Sequence, residues 1–270
     1  VVENLVATAR AGAPPLQRYQ QLRRQALGLE RYRYFDAYLP LVELDWKLPF
    51  DSVQRLLVDS VAVFGETYQS TVARSFSERW IDVYENEGKR SGAFSAGVYG
   101  VHPYMLLNYA DTLEDAFTVA HEMGHTMHTE LANRRQPFAT SEYTIFVAEV
   151  ASMTNEDLLR DELLARTDDP RRRVVLLQHA VDDICSGFYR QAMFAHFELA
   201  AHRLVERGEP ITAERLQELY LETFHAFFGS SLDDQEWERN TWARIPHFYN
   251  SPYYVFQYAT AKAAASLLHE

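Results

Sequence analysis

The run His121-Glu122-Met123-Gly124-His125 constrains this chain more than any other feature, because its spacing has chemical meaning on a helix. Residues four apart on an α-helix lie on one face, one turn from each other. Two imidazoles so placed can bind a single tetrahedral zinc, and the Glu after the first His can reach a water on that metal as general base. The flanks agree with a helix. Met123, Met127 and Leu131 repeat at four-residue spacing, which predicts a half-buried element. Asp111 or Thr112 supplies an N-cap, and Glu114 and Asp115 suit the positive end of the helix dipole. Two unrelated histidines on a surface helix would need none of this context.

The rest of the chain reads as mainly helical. Helices are expected over 14–27, from 51 through the apolar spacing of Val53, Leu56, Leu57 and Val61, over 66–74, 141–164, 171–207 and 212–228, and from 254 to the end. One region differs. Residues 80–84 alternate, 86–89 carry turn chemistry, and 92–109 are aromatic and extended in character. They predict a small antiparallel sheet just before the motif helix. An exposed strand edge there can bind a peptide backbone by strand addition, and a purely structural hairpin fits the same residues.

The 270 residues, 47% hydrophobic and 24% charged, suffice for one catalytic domain over 1–270, and no linker is visible. A net charge of −12 argues against nucleic acid and anionic membrane surfaces as partners. No apolar run approaches the roughly 18 to 20 residues that span a bilayer. Cys185 is the single cysteine, which excludes an internal disulfide and favours a reducing, cytoplasmic compartment. The chain starts at Val1 without Met and ends in alanine-rich helix former, so it is expected to be a fragment of a longer protein.

A catalytic zinc needs a third protein ligand and an open position for water. His128 lies another turn along the axis from His125, too far to share the same ion. The extended HExxHxxGxxH pattern also fails, since position 128 is His and position 131 is Leu. Glu130, Glu142, Glu149 and Glu156 remain. Glu149 sits within the apolar run Ile145-Phe146-Val147-Ala148-Glu149-Val150-Ala151, where a carboxylate is costly to bury without a partner. Glu142 and Glu156 lie two turns either side of it and read as groups orienting the ligands, or as exposed charges. The expected set is His121, His125 and Glu149 holding one zinc per chain.

Several other stretches follow in order across most of the chain. They are Gly88-Lys89-Arg90-Ser91-Gly92-Ala93-Phe94, His102-Pro103-Tyr104, Leu107-Asn108-Tyr109, Ala148-Glu149-Val150-Ala151-Ser152, Ile245-Pro246-His247-Phe248-Tyr249 and the segment from Tyr253 to Thr260. With the motif helix they resemble the thimet oligopeptidase family of zinc metallopeptidases, most closely its oligopeptidase F branch. That resemblance implies a mainly α, helical zincin-type (gluzincin) catalytic domain with a small sheet flanking the HExxH helix. It also implies a deep channel and cleavage of internal bonds in short, unfolded oligopeptides. By resemblance His247 and a tyrosine of the Tyr253-Tyr254 pair, with Tyr254 preferred, donate to the oxyanion. Tyr253, Tyr249 and Tyr258 are expected to contact substrate, and Phe256 stands where relatives often carry Tyr. Taken singly, each of these aromatics reads as core packing.

Two other readings share these residues. One is a dipeptidyl carboxypeptidase of related fold, for which Arg239, Arg244 or Lys262 would fix the substrate's terminal carboxylate. The other is a non-catalytic peptide-binding protein with a vestigial site, against which the intact Glu122 speaks.

Overall fold

Hydrophobic and aromatic side chains gather into two separate buried clusters, and each organises one compact unit of the chain. The computed structural model describes residues 1–233 and 235–269. Its helices are α1 (Val2–Ala11), α2 (Ala13–Ala26), α3 (Phe50–Ser60), α4 (Glu66–Ser77), α5 (Leu113–Arg135), α6 (Ile145–Ala165), α7 (Pro170–Ile184), α8 (Gln191–Glu206), α9 (Ala213–Phe228), α10 (His247–Asn250) and α11 (Val255–His269). The mainly helical class read from the sequence is the class observed. Helix α1 was not anticipated, and α6 begins a turn later than its apolar pattern suggested.

One unit comprises Val1–Glu43 and Leu177–Thr260. Its core joins Leu16 of α2 and Tyr32 to Phe194 and Phe197 of α8 and Phe224 and Phe227 of α9. Arg23 is fully buried at its edge, a cost offset by donation to the Tyr32 hydroxyl at 2.8 Å and to the carbonyls of Ala37 and Leu39. The single helix expected over 171–207 contains a π-helical segment, Cys185–Arg190, between α7 and α8. There the Tyr189 hydroxyl donates to the Gly12 carbonyl at 2.6 Å, and Arg190 lies over the Tyr34 ring. Burial pushes the Cys185 thiol up to about 12, in keeping with an unreactive packing residue.

The other unit comprises Leu44–Leu176 and the turns of α11 from Ala261 onward. Val53 and Leu57 of α3 pack with Val119, Met123 and Met127 of α5 and Leu159 of α6. Strands β1 (Ile81–Asp82), β2 (Phe94–Ala96) and β3 (Tyr104–Leu106) form a sheet of order β1-β3-β2. The β2–β3 pair is antiparallel as the sequence suggested, with Ser95 opposite Met105. The β1–β3 pair is parallel, with Ile81 opposite Met105. The sheet is therefore mixed: β2 is not β1's hairpin partner, and the chain returns through β3 between them.

Helix α5 starts at a capping box in which Thr112 accepts from the Asp115 N–H and Asp115 accepts from the Thr112 N–H. Asp111, the other capping candidate, precedes it with φ of +62°. Helices α5 and α6 form the most extensive contact in the fold. They meet at Gly124, where a Cβ would lie 2.5 Å from Ser152 Cα and 2.6 Å from the Ala151 carbonyl oxygen. Only a residue without a side chain admits that approach. The final turns of α11 are tied to α6 by Lys262 on Asp157 at 3.1 Å, both buried, and by His269 on Asp161 at 2.7 Å.

Each unit is assembled from segments far apart in the chain, so the division leaves no linker for a sequence reading to find. Among the described residues, no helix is long and apolar enough to cross a membrane.

Candidate metal centre

The Gly124 contact turns the same face of α5 that carries His121 and His125 towards Glu149 on α6. The three side chains converge. His121 Nε2 and His125 Nε2 are 3.1 Å apart, and Glu149 Oε2 is 3.5 Å from the first and 3.8 Å from the second. Donors about 2.0–2.2 Å from a tetrahedral zinc lie roughly 3.3–3.6 Å from one another, which the observed spacings bracket. Two imidazoles and one carboxylate are a donor set suited to zinc, with a position left for water.

The surrounding groups fix which nitrogen each ring presents. His121 Nδ1 lies 2.5 Å from Glu156 Oε1, and His125 is bonded to the Ala148 carbonyl. Both rings are held by one nitrogen while the Nε2 atoms face each other, the arrangement that orients imidazoles for a metal. Burial disfavours a proton on His121, but the Glu156 hydrogen bond and the carboxylates of 156, 149 and 122 outweigh it and raise its pKa to about 9. Burial, then the charges at His121 and His128, push His125 down to about 3. This is a site whose negative charge asks for one cation between the rings.

Glu122 is buried on the same helix, and burial raises its pKa. One carboxylate interaction is the Ser95 backbone N–H of β2, while Oε2 has no partner among the described residues. An unpartnered buried carboxylate oxygen beside a metal-binding donor set is the atom a general base would offer to water. Burial likewise raises Glu149, and Ser152 donates to its Oε2 at 3.1 Å.

The sequence expectations map onto this centre unevenly. His121, Glu122, His125 and Glu149 come together, and Glu156 is the ring-orienting carboxylate that its two-turn spacing from Glu149 allowed. Glu142 is exposed ahead of α6. The apolar run around Glu149 does not line the core as expected, because Ile145, Phe146 and Val147 are exposed. His128 lies outside the donor set, its ring stacked on Tyr143 at 3.7 Å. The Ser95 N–H and the Ala148 carbonyl were missed, since backbone groups leave no residue-type signature.

His247, Tyr254 and Tyr258 form a cluster of their own in the other unit, with ring centroids 5.0 Å apart for His247–Tyr254, 5.8 Å for His247–Tyr258 and 5.2 Å for Tyr254–Tyr258. Tyr253 is turned elsewhere. Its φ is +58°, its N–H donates to Glu198 at 2.7 Å, and its ring stacks on His202 at 4.7 Å. Tyr249 is exposed, with its hydroxyl on the Ala243 carbonyl at 3.4 Å.

Fold and donor set together describe a mainly helical protein in which two histidines of an HExxH helix and one carboxylate could hold a metal ion. The model of peptidase family M3 matches residues 1–270. The chain is 42% identical over 270 residues to the group B oligopeptidase PepB of Streptococcus agalactiae, covering all of this chain and 45% of that protein. It is 40% identical over 269 residues to the oligopeptidase PepF of Bacillus subtilis, covering 99% of this chain and 40% of that one. In structure it resembles a Chlamydophila abortus peptidase chain with a TM-score of 0.86 at 37% identity, covering 99% of this chain and 45% of that chain. It also resembles oligoendopeptidase-F from Enterococcus faecium, with a TM-score of 0.70 at 29% identity, covering 99% and 40%. The chain belongs to peptidase family M3. It spans less than half the length of these relatives.

Proposed function

We propose that this chain carries the catalytic centre of a zinc-dependent metalloendopeptidase that hydrolyses internal bonds of short, unfolded oligopeptides. The observation that carries the reading is the convergence of His121, His125 and Glu149 beside the unpartnered Glu122 Oε2. Membership of family M3 and the oligopeptidase relatives support it. The lone Cys185 supports a reducing, cytoplasmic setting.

His121, His125 and Glu149 would hold the ion, which supplies a Lewis acid that acidifies water and polarises the scissile carbonyl. Glu122 takes the proton from the attacking water and returns it to the leaving amine. Its buried setting suits both steps, because burial favours the neutral carboxyl that must form between them. Ser95 holds the carboxylate in place through its N–H, and Glu156 and the Ala148 carbonyl keep the two rings in register. His247 and Tyr254 are assigned by resemblance as donors to the developing oxyanion. Burial lowers the His247 pKa, which favours the neutral ring that donates from one nitrogen.

Elemental analysis of the purified chain together with cleavage of an internally quenched oligopeptide tests the reading. About one zinc per chain and chelator-sensitive cleavage at an internal bond are expected. Cleavage confined to the C-terminal dipeptide would favour the dipeptidyl carboxypeptidase, and absence of metal would favour the vestigial site.

A further inference from the structure

A cavity of about 260 Å³ opens between the residues leading into β2 and the first turns of α5. Gly92, Ala93 and Leu107 give it small or apolar walls, and its polar side chains are Asn108, Tyr109, Asp115 and Thr118. Their hydrogen bonds share one property. Asn108 donates from its amide to the Arg90 and Gly92 carbonyls at 2.9 and 2.8 Å. The Tyr109 hydroxyl donates to the Leu48 carbonyl, and the Thr118 hydroxyl donates to the Glu114 carbonyl. Asp115 Oδ2 accepts from the N–H groups of Ala110 and Thr112 and from the Thr112 hydroxyl. Every side-chain donor around the cavity is thus committed to the protein, and what remains for a ligand is lone pairs and a carboxylate charge.

The cavity also has a defined place relative to the reacting centre. Thr118 and Asp115 precede Glu122 on α5 by one and two turns, a displacement of roughly 6 to 10 Å at about 1.5 Å per residue. Ala93 directly precedes β2, an edge strand of the sheet, whose Ser95 N–H meets Glu122. An extended peptide lying along that strand advances about 3.3 Å per residue, so the cavity faces a side chain two to three residues from the bond at Glu122.

We propose that this cavity is a substrate subsite selecting a cationic side chain, Lys or Arg, two to three residues from the cleaved bond. It rests on the peptidase reading above. Side chains that offer only acceptors leave an anionic or amide side chain with oxygens they cannot match, whereas an ammonium or guanidinium brings donors to them. At the helix start the Asp115 N–H is taken by the Thr112 hydroxyl, and the Asp115 carboxylate itself sits against the positive end of the dipole.

The test uses oligopeptides with Arg, Lys, norleucine or Glu placed in turn at each position within three residues of the cleaved bond, with the N-terminus free or acetylated. Their Kd values are measured on the zinc-loaded Glu122→Gln chain and their KM and kcat on the wild type. One position is expected to favour Arg or Lys over norleucine about tenfold in Kd and KM with kcat little moved, on free and acetylated peptides alike. In Asp115→Asn, and in Thr118→Lys, which places a cation of its own in the cavity, that ratio should fall to about one. The second variant leaves the α5 cap intact, so a folding defect in the first does not decide the matter. A ratio near one throughout, a ratio unchanged in both variants, or a preference lost on acetylation would overturn the subsite. Failure of the wild type to cleave any peptide would sink the peptidase reading instead, while the Kd ratios still score the cavity.

Discussion

The two regions proposed for catalysis are built in opposite ways. His121, Glu122, His125, Glu149 and Glu156 all project from two long helices, α5 and α6, packed closely at Gly124. His247, Tyr254 and Tyr258 come from a four-residue helix, an irregular turn and the first turns of α11, with Tyr253 at positive φ between them. Helical spacing dictates which side chains share a face, so the first group follows from residue number plus one contact. In the second group a turn decides each direction separately, and neighbours Tyr253 and Tyr254 end on different partners, His202 and His247. Regular elements make chemistry legible, and irregular ones conceal it.

The sharpest way to break the comparison is at Glu122. Glu122→Gln keeps the shape and the metal donors but removes the base, so kcat should fall by about 10² to 10⁴ with zinc content unchanged. Full activity in a stopped assay of the metal-loaded variant would remove Glu122 from the mechanism. The irregular region is sharpened next. Tyr254→Phe should lower kcat by about 10² if that hydroxyl meets the oxyanion, while Tyr253→Phe, whose ring lies on His202, should change it only a few-fold. The reverse order of effects would move the donor role to Tyr253.

Glu156→Gln probes the helical region without touching the donor set. Loss of the carboxylate on His121 Nδ1 should weaken zinc about 10- to 100-fold, read by competition with a chelating dye. Unchanged affinity would make Glu156 a bystander. Gly124→Ala then tests the contact beneath both ligand helices. The new Cβ must displace Ser152 and Ala151 backbone, which should cost about 1–3 kcal/mol in denaturant unfolding. A neutral result would mean the helices can separate without loss.

Much of this is legible in the sequence. The HExxH helix, its Thr112 cap and the buried Met123–Met127 stripe follow from local chemistry. Glu156 was reachable because it lies two turns from Glu149. Less was legible where pairing is non-local: β1 pairs directly with β3 in parallel although β2 separates them in sequence, and strand pattern alone does not state direction. The π-helical turn at Cys185–Arg190 was likewise invisible, since apolar spacing does not separate it from continuous α-helix.

What the amino-acid order determined by itself was the helical class, the two imidazoles on one face with Glu122 beside them, and a downstream carboxylate as the candidate third donor. Tertiary structure alone decided that α5 and α6 approach closely enough to bring Glu149 within 3.8 Å of both rings, and that backbone groups of Ser95 and Ala148 steady Glu122 and His125. It alone divided the chain into two units of discontiguous segments and left an acceptor-lined cavity beside β2. The reason is that periodicity along a helix is a property of a few neighbouring residues, whereas proximity between elements depends on how every side chain between them packs.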